Sequence, residues 1–182
     1  MKYKLPYTID SGHGERLTFL SLEENAPGGP KLLVENLVQP GKGPMMHVHF
    51  KQNEGLTVIK GTLATQLAGE DPKIHQAGES ATFLAGEPHA FWNAGTEPLV
   101  CKGWIQPADN IIYFLDKIYE SMRKNNGRPD AFTAAWLLDR YKNEYDMPGL
   151  PGFVKKVIFP ITKTFGNWTG KHRKFSDAPA PV

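Results

Sequence analysis

The feature that most restricts this chain is its punctuation. Between residues 2 and about 106, short β-prone runs alternate with glycine and proline turns. Arg16 to Leu20 precedes the Pro27-Gly28-Gly29-Pro30 turn, and Lys31 to Val38 ends at Pro40-Gly41. Glu54 to Lys60 runs into Gly61, and Thr62 to Ala68 runs into Gly69. Ser80 to Ala85 ends at Gly86, and Leu99 to Gln106 ends at Pro107. No interval suits the helical crossover that a parallel sheet needs. The spacing predicts an antiparallel all-β sandwich or barrel.

The apolar period then changes. Ile111, Leu115, Ile118 and Met122 recur at helical spacing, which predicts an amphipathic helix. Asp109 or Asn110 is its expected cap and Asn126-Gly127 its expected end. A second helix is expected from about Pro129 to Tyr145, before the break at Met147 to Gly152. A third amphipathic stretch carries Phe153, Val157, Ile161 and Phe165, with a kink expected at Pro160. From Asp177 the Ala-Pro-Ala-Pro-Val stretch reads as a flexible or extended tail. The division is therefore a β-barrel over 1–107 and an α-helical extension over 108–182, packed on the barrel or on a dimer partner.

Charge separates the same regions. Residues 1–106 carry nine Lys/Arg against eleven Asp/Glu, and residues 107–150 carry six against seven. Residues 151–182 carry six against one, a local +5. No basic helix pair suits a DNA groove, so nucleic acid is not an expected partner. The single cysteine, Cys101, lies in an apolar run and reads as a buried thiol in a reducing, cytoplasmic setting. Residues 1–7 lack the apolar core of a signal peptide, and no run approaches the roughly 20 apolar residues of a membrane span.

One constellation specifies chemistry. His47 and His49 stand at i and i+2, so on a strand they share a face. Glu54 follows across a turn, and His89 comes from a later hairpin. Three imidazoles and a carboxylate suit a first-row divalent metal; Fe, Mn, Ni, Cu and Zn all remain open. Burying the four together without a cation would be costly.

The spacing extends to the glycines. Gly41 is followed after five residues by His47, after one by His49, after four by Glu54 and after six by Gly61. After sixteen more come Gly78, five residues, Leu84, one, Gly86, two, His89, three, Asn93. Over about residues 30–105 the chain resembles the cupins, with both of their signature motifs. The one departure is Leu84, where the family usually has proline. The resemblance implies a double-stranded β-helix, or jelly-roll, barrel. It also implies that His47, His49, Glu54 and His89 ligate the metal. Four protein ligands on a six-coordinate ion would leave two positions for water, substrate or dioxygen.

Strand parity predicts the surroundings. Met45, Leu56, Val58, Phe91 and Asn93 should face inward with the ligands, and Trp92 outward. Asn93 reads as a turn residue and Gln52 as a solvated loop residue, the alternative for each being support of a ligand through a hydrogen bond. Arg16 is the only arginine before Arg123, so the barrel lacks the cationic fork that phosphosugars or 2-oxo acids call for. An apolar or aromatic small molecule fits better. His13, His75 and His172 read as solvated.

The basic segment 153–174 has two readings. It could cover a barrel face with its basic side in solvent, which is preferred, or lie in a membrane interface. A homodimer is expected. The preferred function is a metal-dependent oxidoreductase of dioxygenase type, with Glu54 also a candidate catalytic proton acceptor. The alternatives are a non-catalytic small-molecule binder and an interaction module.

Overall fold

The computed structural model describes residues 3–182. Eleven strands occur among them: β1 (Tyr7–Asp10), β2 (Glu15–Glu23), β3 (Lys31–Val38), β4 (Val48–His49), β5 (Asn53–Lys60), β6 (Leu63–Leu67), β7 (Lys73–His75), β8 (Ser80–Phe83), β9 (His89–Asn93), β10 (Leu99–Gln106) and β11 (Tyr145–Asp146). The main sheet runs β1-β2-β3-β10-β5-β8, and a smaller one runs β7-β6-β9. Every pairing is antiparallel. This is the double-stranded β-helix expected from the sequence.

Alternation explains the layering. On β3, Leu32, Val34, Asn36 and Val38 are buried, and on β10 Leu99, Cys101 and Ile105 are. Their partners Leu56 and Val58 on β5 and Phe83, Leu63 and Phe91 from the other strands complete one apolar cluster with Val38, Leu99 and Cys101. Burial in that cluster pushes the Cys101 thiol up to about 12, so it is inert, as the apolar run predicts.

Three α-helices follow: α1 (Ile111–Lys124), α2 (Ala131–Arg140) and α3 (Phe159–Trp168). The predicted stripe of α1 faces the protein, with Ile111 buried and Leu115, Ile118 and Met122 packed on the same cluster. That cluster is shared: Leu17, Phe19, Leu32 and Ile105 of the barrel meet Phe132, Leu137, Tyr141 and Phe175. Asn110 precedes α1 but makes no side-chain cap. Its amide turns instead to Glu144 and to the Ala180 carbonyl.

The second helix is shorter than its sequence predicts. Asp130 caps it by accepting from the Thr133 amide at 3.0 Å. It stops at Arg140, and Tyr145–Asp146 pairs with Val48–His49 instead. The open ladder of β4 outweighs helix propensity there. Pro160 lies in one continuous helical run over 152–168, and the bonding departs from α just before it, as a π turn (Val154–Ile158) that leads straight into α3. Residues 178–180 have no regular secondary structure but are held: Arg140 and Tyr141 donate to the Pro179 carbonyl at 2.8 and 3.1 Å.

Candidate metal centre

The four side chains singled out by spacing converge. One ligand atom from each of His47, His49, Glu54 and His89 lies within 4.8 Å of every other. They come from four places in the chain. His49 ends β4, Glu54 opens β5, and His89 opens β9. His47 forms a two-way backbone bridge with His89, N to O at 2.9 and 2.8 Å. That bridge needs the chain at 41–47 to lie against β9. A Cβ on Gly43 would stand 2.1 Å from the Phe91 carbonyl oxygen, so only glycine permits the approach.

The imidazoles are oriented by what their outer nitrogens bond. Nδ1 of His47 lies 2.8 Å from the Met45 carbonyl, and Nδ1 of His89 lies 2.8 Å from the Glu87 carbonyl. Nδ1 of His49 lies 2.9 Å from Gln52 Oε1. Carbonyl oxygens only accept, so each Nδ1 must carry the proton. Each Nε2 therefore presents a lone pair to the centre. There it meets another acceptor, Glu54 Oε2, at 3.7 Å from His49 Nε2 and 3.4 Å from His89 Nε2. The buried His89 Nε2 has no hydrogen-bond partner.

Electrostatics keep the site in this state. Burial, then the fields of His49 and His89, pushes the His47 imidazole down to about 3. Burial also lowers His49, against the pull of Glu54. Three neutral imidazoles and one carboxylate are the donor set of a transition-metal ion, and the residues fit one.

The supporting shell corrects several expectations. Gln52 is not solvated: it is 2% exposed. It accepts from His49 and donates to the Ala108 carbonyl at 3.1 Å, so it fixes one ring against the start of the helical extension. Tyr145, from β11, sets its ring edge-on to His49 at 5.5 Å. Phe83 stacks flat on His89 at 4.0 Å. The spacing carries no signal for Tyr145, which reaches His49 only through the pairing of β11 with β4; Gln52 acts through its own bonds to His49 and to the Ala108 carbonyl. Met45 does not face inward but is 63% exposed. Strand parity fails there because β4 begins only at Val48. Leu56, Val58, Phe91 and Asn93 are buried as expected. Asn93 holds a turn, donating to the Val38 and Glu97 carbonyls. His75 lies 2.9 Å from the Thr65 hydroxyl, so it is partnered and not merely solvated. Arg16 is exposed and pairs with Asp10.

Known proteins place this site in context. Residues 35–105 match the family model for the cupin domain. Quercetin 2,3-dioxygenase of Bacillus subtilis is 34% identical over 96 residues, covering 50% of this chain and 28% of the relative. A probable oxidoreductase, virH, of Hypocrea virens is 32% identical over 74 residues, covering 39% of this chain and 34% of its own length. The chain thus spans about a third, or less, of each of these curated relatives. A solved Klebsiella pneumoniae protein with a double-stranded β-helix domain aligns with TM-score 0.45 and 19% identity, covering 60% of this chain and 84% of that one.

Proposed function

We propose, on the premise that residues 35–105 are a cupin domain, that the protein is a metal-dependent oxidoreductase of dioxygenase type. Its substrate in this reading is a small apolar or aromatic compound. One observation carries the metal: the outer proton of each imidazole is committed to a carbonyl oxygen, so four electron-pair donors face one another with no hydrogen to share. A cation satisfies that arrangement and a hydrogen-bond network cannot. The distant similarity to a quercetin dioxygenase and to a probable oxidoreductase supports redox chemistry.

His47, His49, Glu54 and His89 would hold the ion. When bound it supplies a Lewis acid and, for a redox metal, electron transfer. The chain's own groups do the rest. Gln52 keeps His49 in its Nδ1–H tautomer. Phe83 and Tyr145 screen the rings from water. Glu54 can accept a proton from a substrate hydroxyl if it swings off the metal. The scarcity of arginine in the barrel sequence leaves no guanidinium fork for an anionic substrate.

The test is direct. Elemental analysis of protein purified without a histidine tag should find about one transition-metal ion per chain. Oxygen consumption should then be measured with a panel of phenols and diketones. Metal-dependent uptake that disappears in His49→Ala supports the reading. Metal retention with no uptake across the panel would leave a binding protein instead.

A further inference from the structure

The helical extension turns the preferred reading of residues 153–174 inside out. Phe153, Val157, Ile158, Ile161, Phe165 and Trp168 do not cover the barrel; all are exposed, Ile161 at 63% and Trp168 at 82%. Positions 153, 157, 161 and 165 repeat every four residues, and 158 and 168 flank them. Together they form one outward apolar stripe along the π turn and α3. The opposite face is the one fastened down. Gly166 is buried where a Cβ would stand 2.1 Å from the Phe132 ring. Lys155 pairs with Asp146 at 2.7 Å, and Lys163 pairs with Asp139. The stripe cannot roll inward without breaking these contacts.

The lysines and arginine around the stripe divide into paired and unpaired. Lys155, Lys163 and Lys174 each have an aspartate partner. Lys156, Lys171 and Arg173 are exposed and make no ion pair among the described residues. In the chain Lys156 precedes Val157 near the start of the stripe, and Lys171 and Arg173 follow its last residue, Trp168, across Gly170. Exposed aromatic and aliphatic side chains bordered by unpaired cations match a bilayer interface, with acyl chains below and anionic headgroups beside.

We infer that the face formed by residues 153–173 docks on the surface of an anionic lipid bilayer. The helix lies in the headgroup plane, with Ile161, Phe165 and Trp168 at the acyl boundary. Lys156, Lys171 and Arg173 meet lipid phosphates and carboxylates. Among the described residues no helix is long and apolar enough to cross a membrane; the proposed association is peripheral. A second copy is a poorer occupant. Two-fold antiparallel pairing of the stripes would bring Lys156 of one chain against Lys171 and Arg173 of the other, like charge on like.

Vesicle co-sedimentation of the full chain tests this. Phosphatidylcholine vesicles containing phosphatidylserine should pull the protein down at low salt, and pure phosphatidylcholine should do so much less. The Trp168 emission should shift to the blue only with the anionic vesicles, and the shift should vanish in Trp168→Phe. Reversing all three cations (Lys156→Glu, Lys171→Glu, Arg173→Glu) should weaken binding at least about a hundredfold. Ile161→Asp with Phe165→Asp should abolish it while thermal melting stays unchanged, since both side chains are already in solvent. No binding to anionic vesicles at low salt overturns the inference. So does binding that survives the double aspartate variant. Sedimentation showing a dimer that this same variant dissociates, without vesicle binding, would assign the face to a second copy and overturn it equally.

Discussion

The barrel centre and the α3 segment are opposites in how they treat polarity. In the barrel, four polar side chains sit inside an apolar shell, with His89 1% exposed and Glu54 7%. On α3, large apolar side chains sit outside, while the inward contacts are a glycine and two lysine–aspartate pairs. Both reverse the usual distribution. A reversal costs free energy unless something absent from the bare chain meets it. In the proposed reading the missing element is a cation in the first case and a lipid surface in the second. On that reading the two ends of this chain meet different partners. Yet they are not independent: β11 pairs with β4, and Gln52 bonds the Ala108 carbonyl.

Substitutions can break this contrast, beginning with the largest effect. His89→Ala removes one donor of the cluster. Metal affinity should fall by well over about a hundredfold, more than the loss of a supporting residue costs, and elemental analysis after dialysis should find the site empty. A buried phenylalanine of the extension comes next. Phe175 is 4% exposed and stacks on Trp136 at 4.1 Å, so Phe175→Ala should cost about 3–5 kcal/mol in urea unfolding. Gln52→Ala leaves all four ligands but frees the His49 ring. A drop of about ten- to a hundredfold in metal affinity is expected by competition with a chelating dye. If affinity is unchanged, the link between extension and site has no energetic content.

A smaller effect depends on pH. Glu15 is buried, its Oε1 has no partner, and burial pushes its carboxyl up from 4.5 to about 7. Between those values the folded protein holds a proton that the unfolded chain has released. Stability therefore falls as pH rises from about 4.5 to about 7, then levels off. Glu15→Gln should raise stability above pH 7 by roughly 1–3 kcal/mol and leave it unchanged at pH 4. Urea melts at the two pH values measure the difference. The smallest effect closes the comparison: Phe165→Asp, on the exposed stripe, should shift stability by less than about 0.5 kcal/mol.

Much of the barrel was legible because its strands obey a period of two. Lys31–Val38 and Leu99–Gln106 have the bounds their apolar alternation indicates. The four converging side chains were legible for a related reason: i and i+2 on a strand, with turns at fixed glycines, leave little freedom in where the next strand begins. Parity failed at Met45 because the chain there is not yet a strand. The second helix was overdrawn because Tyr145 and Asp146 find ladder partners about a hundred residues back along the chain, and no local pattern reports such pairing. Gln52 was misread because its partners, His49 and Ala108, meet only when barrel and extension dock.

The sequence by itself determined periods: where strands alternate, where α1 shows its stripe, and which donors repeat at metal-binding spacing. Only the tertiary structure decided direction. The stripe of 153–168 is equally amphipathic whether it faces the barrel or the solvent, because helical spacing carries no sign. The contacts of Gly166 with Phe132 and of Lys155 with Asp146 chose solvent. Likewise, a histidine at a given position does not say which nitrogen holds its proton. The carbonyl oxygens of Met45, Gln52 and Glu87 decide that, and with it what the centre can bind.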